Sequence, residues 1–493
     1  MRRLYPLLLL FAALYLYRTG AEVWSYVTRT PGDFGYNYQA AAALLRGESP
    51  FRPDFAYPGI VPLLFAPLAR LPIEPARIVW YLLSQAALIG AALCLFRPLG
   101  GDGAALVALG ALWSTAGTVP ENLALGQMNP ILLLLIALAM RWILGAPGRA
   151  GAALGAAAAL KVWPGVLLLP FVRRERRRGL AWGLAIAAFS VVLPWAVYRA
   201  FLPPPYSPVA AKYWMGTPAP LNFSLPAAGL RASYRGPSTG PLDPASGEPR
   251  DWVVGNNPAV LQLVSWRRNL SAAVSLAVLA AGLAAWRLRV SRTATHGMAS
   301  PRDDLTALAY LTVLCIVASP ISWYHYQLLL LPAGALLIAG SLRRHAPWAL
   351  SGQAALILAA TWANRLPSLG PLLGLSTERC VAAAGLAVPV LDLALLALLL
   401  YIPPMNPEDV RRMAEGWRAV GRREREERRQ AGPDPAAAIQ GALALMDLFG
   451  EMHDWPPAEN EARRRNHELA RERWVRVRSF YQTHGKAAKP KDP

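Results

Sequence analysis

Apolar runs close to the roughly 20 residues that a bilayer core requires recur through the first 401 positions of this chain, and most of them end at arginines. Lipid offers no hydrogen-bond partner to a backbone, so a chain of this pattern must satisfy its N–H and C=O groups inside helices. The composition agrees, with 54% hydrophobic and only 16% charged residues and a mean hydropathy of +0.28. The expected fold class is an all-α polytopic membrane protein with about 10–12 membrane elements.

A net charge of +20 could be read as a nucleic-acid signal. Much of it, however, sits in short tracts beside apolar runs, such as RRERRR at 173–178, and basic flanks of this kind hold loops on the cytoplasmic side. No nucleic-acid partner is expected. Cys94, Cys315 and Cys380 lie in separate apolar segments, without metal-ligand spacing or a disulfide framework. Residues 402–493 have a different composition: they hold 18 Lys and Arg with 15 Asp and Glu, against 32 and 15 in residues 1–401. The chain is expected to divide into a membrane domain over 1–401 and a charged, partly helical cytoplasmic tail over 402–493.

The first span is expected over 4–18, uncleaved, with Arg2 and Arg3 inside. Residues 60–71, broken by Pro67, read as an interfacial dip, and crossings follow over 78–96, 104–118 and 131–142. Residues 150–172 have the length of one crossing, yet Arg149 precedes them and RRERRR follows, and both ask for the same side. A helix pair broken at KVWP, 161–164, satisfies both; one straight span is the alternative and would invert everything downstream. With the broken pair, 180–198, 272–286, 305–318, 326–339 and 381–400 alternate in direction, with a marginal element over 354–362.

Polar residues cluster on the expected outer side. Asp33 follows Pro31 and Gly32 and precedes an amphipathic stretch, so it is either a helix cap or a chemically active carboxylate at a membrane surface. Gln127 and Asn129 in GQMNP, Asn222 and Ser224 in LNFS, and His325 in SPISWYHYQ supply amides, a hydroxyl and an imidazole among aromatic rings. Such a mixture suits sugar hydroxyls and sugar C–H faces, and it equally suits an aromatic membrane belt. Lys161 sits where an ammonium must reach the interface, a carboxylate or a bound phosphate. No Asp, Glu and His cluster offers a metal site.

Several stretches together carry a family resemblance: D-x2-Y at Asp33 and Tyr36, LLRGESPF, FAYPGIVPLLFAPLARLP, ENLALGQMNPILLLLIALA, AALGAAAALKVWPGVLLLPFVRRERRR, LNFS and ASPISWYHYQLLLLP. In order and spacing they resemble the polyprenol-phosphate-hexose-dependent glycosyltransferases of family 87, which have the GT-C fold. The resemblance covers about residues 33–332. It implies a catalytic base at Asp33 and substrate-binding roles for Tyr36, Gln127, Asn129, Lys161, Asn222, Ser224 and His325. Gly59 departs from the family pattern, and residues 234–251 and the tail lie outside it.

The implied activity is inverting transfer of a hexose, with mannose foremost, from a polyprenyl-phosphate donor to a glycolipid or cell-envelope glycan at the outer face of the plasma membrane. Membrane lipids, the lipid-linked sugar and the glycan acceptor are then the partners, and no metal or other cofactor is needed, because a sugar on a lipid phosphate already carries its leaving group. Nothing identifies a protein partner. A multi-pass transporter or flippase is the competing class; it should show paired internal repeats, and none is evident.

Overall fold

A computed structural model describes residues 4–29, 32–51, 55, 57–143, 145–173, 176–201, 224–228, 258–294, 301–319, 322, 324–344, 346–362 and 377–401. These residues are helical throughout their ordered elements, with no strand among them. The protein is an all-α polytopic membrane protein. Among the described residues five helices are long and apolar enough to cross a membrane, or six if one bent pair counts as a span, and three shorter apolar helices accompany them.

The chain opens with α1 (Tyr5–Leu16), which passes through a π-helical turn (Tyr17–Ala21) into α2 (Glu22–Arg29). The run expected to stop at Arg18 therefore continues for more than two further turns. The wider turn tucks the Arg18 guanidinium inward, where it donates to the Ser114 carbonyl at 2.6 Å and lies 4.8 Å from the centre of the Trp362 ring. A buried, satisfied arginine does not end a helix as a solvated one would. Next come α3 (Gly32–Leu45), the short α4 (Ile60–Phe65) ending at the Pro67 break, and α5 (Ile73–Phe96). The α6 helix (Gly103–Thr115) is capped by Asp102, whose side chain accepts from the Ala105 N–H at 2.9 Å. It meets α7 (Thr118–Ala124) at a bend of 54°, and α8 (Asn129–Trp142) follows.

Residues 150–172 form the broken pair. Helix α9 (Pro147–Leu160) ends at Lys161, whose backbone is extended, and a 3-10 segment (Trp163–Val172) continues from there. The two arms fold back on each other, because Gly179 of α10 (Arg177–Phe201) lies against Pro147 at the start of one arm and Phe171 at the end of the other, while Gly183 meets Gly151 and Leu168. Gly151 and Gly155 on α9 face Gly179 and Gly183 on α10, so that two small-x-x-x-small seams bring the backbones into contact. Lys161 is the tip of this hairpin.

The remaining elements are α11 (Pro258–Ala294), α12 (Pro301–Ala318), a 3-10 segment (Tyr324–Leu330), α13 (Leu331–Arg343), α14 (Pro347–Trp362) and α15 (Thr377–Leu400). Apolar residues all round a helix mean either lipid contact or the middle of a bundle, and both occur. In the 324–343 span 89% of the apolar stretch is buried, whereas in the α11 span only 6% is, and its side chains point outward. At the α12 start, Asp304 pairs with Arg176 and lies 3.8 Å from Arg173, and Asp303 lies 3.7 Å from Arg289. Where α13 ends, Arg343 reaches Asp102 at 2.6 Å. The arginines of the basic tracts thus tie helix ends together.

Candidate active site

The first turn of α3 docks on the turn between α7 and α8. The N–H groups of Asp33 and Phe34 both donate to the Leu125 carbonyl, at 2.8 and 3.2 Å, which satisfies two of the donors that a helix start leaves unpaired. Close approach requires glycine on both sides. Gly32 has φ +51°, and a Cβ there would stand 2.7 Å from the Leu125 oxygen; Gly126 has φ +64°, with Phe34 Cβ 2.6 Å from where its own Cβ would be. The Trp80 indole fixes the turn by donating to the Gly126 carbonyl at 2.9 Å.

This docking sets Asp33 beside Gln127. The buried Gln127 side-chain amide donates to an Asp33 carboxylate oxygen, and Gln127 Oε1 accepts from the Tyr57 hydroxyl at 3.5 Å. Asp33 is half-buried. Its carboxyl is pushed up to about 6, chiefly by burial, with the Lys161 charge pulling it back down. Lys161 itself is buried at the hairpin tip. Its Nζ donates to Asn129 Oδ1 at 2.8 Å and stands 3.7 Å from the centre of the Tyr326 ring and 5.9 Å from that of Tyr57. An ammonium facing an amide oxygen and two aromatic faces is directed into protein, not toward lipid.

Asn129 extends the network. Its Nδ2 donates to Asn122 Oδ1 at 2.9 Å and to the His325 carbonyl at 3.2 Å, and Asn122 Nδ2 reaches the same carbonyl at 2.9 Å. The His325 imidazole, edge-on to Tyr324 and Tyr326, keeps a buried Nδ1 with no partner. Tyr324 donates to Glu121 at 3.1 Å. Asp33, Gln127, Asn129, Lys161 and His325 therefore converge from distant parts of the chain.

Two described candidates lie apart from these contacts, and a third is not described. Tyr36 is exposed, one turn beyond Asp33. Ser224 is buried, and its Oγ accepts from the Ala227 N–H at 3.2 Å in capping its own short turn. Asn222 lies outside the described residues. Conversely, Tyr57, Asn122 and Tyr326 belong to the network without having been singled out. All three sit inside the motif stretches, but their roles depend on contacts across the fold. Among the described residues no three His, Cys, Asp or Glu side chains gather as a metal site would need.

Comparison with known proteins covers much of this network. Residues 55–229 match glycosyltransferase family 87. The chain carries a family 87 region. That region includes Tyr57, Gln127, Asn129 and Lys161, while Asp33 and His325 flank it. An alpha-(1->3)-arabinofuranosyltransferase of Mycobacterium tuberculosis is 32% identical over 215 residues, 39% of this chain and 47% of that protein. The chain thus spans about half the length of the arabinofuranosyltransferases it matches. A polyprenol-phosphate-mannose-dependent alpha-(1-2)-phosphatidylinositol pentamannoside mannosyltransferase of Mycolicibacterium smegmatis is 26% identical over 365 residues, 69% of this chain and 77% of the relative. Its Mycobacterium tuberculosis counterpart is 27% identical over 355 residues, 68% and 67%.

Proposed function

We propose that this chain is a membrane glycosyltransferase that moves a hexose, with mannose foremost, from a polyprenyl-phosphate donor to a glycolipid or cell-envelope glycan at the extracytoplasmic face of the plasma membrane. The observation that carries the reading is the convergence of Asp33, Gln127 and Lys161: a carboxylate held by an amide, with an ammonium nearby. Asp33 takes the proton of the acceptor hydroxyl as that oxygen attacks the anomeric carbon. The bond from that carbon to the phosphate oxygen breaks, and its electron pair leaves on the polyprenyl phosphate. Lys161 stabilises the departing phosphate, and His325 contributes hydrogen bonding beside it. One direct displacement inverts the anomeric centre, and the reaction as written needs no metal.

A pentose donor is the second reading, favoured by the 32% identity to arabinofuranosyltransferases. Both readings are tested on purified protein in lipid, with polyprenyl-phosphate mannose and arabinofuranose offered separately against a panel of glycan and glycolipid acceptors. Transfer that is abolished in Asp33→Asn, with the lipid donor still bound, supports the proposal. Protein-dependent movement of the intact lipid-linked sugar between leaflets, without transfer, would replace it with a transporter.

A further inference from the structure

Asp392 lies in α15, fully buried, in the middle of an apolar helix. Its Oδ2 accepts from Gln327 Nε2 at 3.0 Å. The other two polar atoms of the pair, Asp392 Oδ1 and Gln327 Oε1, are both buried and both lack a hydrogen-bond partner. With the carboxylate ionised, both acceptors are left without a donor. One proton on Oδ1 resolves both, because the acid O–H then donates to Gln327 Oε1 and closes an eight-membered acid–amide ring.

Asp303, Asp304, Arg289 and Arg343, on the helices packed around α15, pair with groups other than Asp392. Arg173 and Arg176 serve Asp304, Arg343 serves Asp102, and Arg289 faces Asp303 while donating to the Leu399 carbonyl at 3.0 Å. Among the described residues no ion pair reaches Asp392. An isolated carboxylate so deep among apolar side chains would be strongly disfavoured against its neutral form.

Gln327 is two residues from His325 and belongs to the 3-10 segment that presents the His325 carbonyl to Asn122 and Asn129 and the Tyr326 ring to Lys161. We infer that Asp392 is a neutral carboxylic acid paired cyclically with Gln327, and that this pair is a positioning device which locks the Tyr324–Leu330 segment against α15. Its meaning for turnover rests on the transferase reading above; the pairing itself does not.

Three variants test it. Asp392→Asn replaces the acid by an amide that makes the same two bonds, so thermal stability should match wild type. Asp392→Leu strands the Gln327 amide, and hydrogen exchange in the peptide covering 324–330 should rise roughly 10-fold or more. Gln327→Leu should do the same. The infrared difference between wild type and Asp392→Asn at neutral pH should show a deuterium-sensitive C=O band of a protonated carboxylic acid. If transferase activity is found, Asp392→Asn should keep it within about 2-fold while Asp392→Leu loses roughly 10-fold. A carboxylate band at Asp392, or Asn behaving like Leu in hydrogen exchange, overturns the inference whether or not the protein proves to be a transferase.

Discussion

Gln127 donates its side-chain amide to the Asp33 carboxylate across 94 residues of sequence. The bond holds the proposed base by one oxygen, so the other can meet an acceptor hydroxyl. Replacing Gln127 by Leu should leave the fold intact but free the carboxylate to rotate, lowering turnover roughly 10-fold with a smaller effect on donor binding. Replacing it by Glu should cost more, since two carboxylates then face each other. Steady-state transfer by both variants separates the two effects.

Asp33→Asn should reduce turnover by roughly 10²-fold or more. Burial has raised the Asp33 pKa above its unfolded value, so the folded protein holds that proton more tightly than the unfolded chain, and stability falls as pH rises toward about 6. Asparagine cannot ionise and escapes this cost. The variant should therefore melt at the same temperature or higher above that pH, and a large loss of stability would instead point to a structural role for the carboxylate.

Only the ionised Asp33 accepts a proton, so turnover should be full at higher pH and fall as pH drops through about 6. The Lys161 charge lowers this midpoint. In Lys161→Met the limb should move to higher pH, and binding of the anionic donor should weaken. An unmoved pH profile in that variant would separate Lys161 from the base.

The glycine seam predicts a sharp size limit. A Cβ at Gly155 would stand 2.9 Å from Gly183 Cα, so Gly155→Leu should force α9 from α10 and destabilise the protein by about 1–3 kcal/mol. Gly47, with open space around it, is the control for added bulk, and Gly47→Asn also tolerates its φ of +76°. Thermal unfolding in matched lipid compares the two.

Sidedness is open to direct labelling. In a cysteine-free background, a cysteine at Tyr36 should react with an impermeant thiol reagent on intact cells, and one at Arg176 should not. Labelling at Arg176 from outside would reverse the proposed orientation of the hairpin.

Apolar run length and flanking arginines were enough to read the helical class and the interruption at Pro67, because each follows from local chemistry; at Lys161 they left a straight span open beside the break that the fold shows. Arg18 misled, because a charge normally marks a helix end and only the tertiary contacts with Ser114 and Trp362 show that this one is enclosed. The site was legible as residue types and less so as partners. Asp33 could equally have been a cap until the Leu125 carbonyl was seen to receive its N–H while the carboxylate turned to Gln127. For His325 the imidazole drew the eye, yet its main-chain oxygen makes the bonds to Asn122 and Asn129, and a backbone role leaves no trace in residue identity.

That carbonyl lies 203 residues after Asn122, which gives the site a history during synthesis. When α8 has emerged, Asn122 Nδ2 has the Thr118 carbonyl and Asn129 Nδ2 has Asn122 Oδ1, and Lys161 has not yet been made; once α10 follows, one N–H of each amide still lacks the acceptor it has in the finished fold. Only a ribosome that has passed Tyr326 supplies it. A nascent chain stalled before that point lacks the carbonyl that receives a proton from each amide in the finished fold, a chemical mark by which an incomplete molecule differs from a complete one.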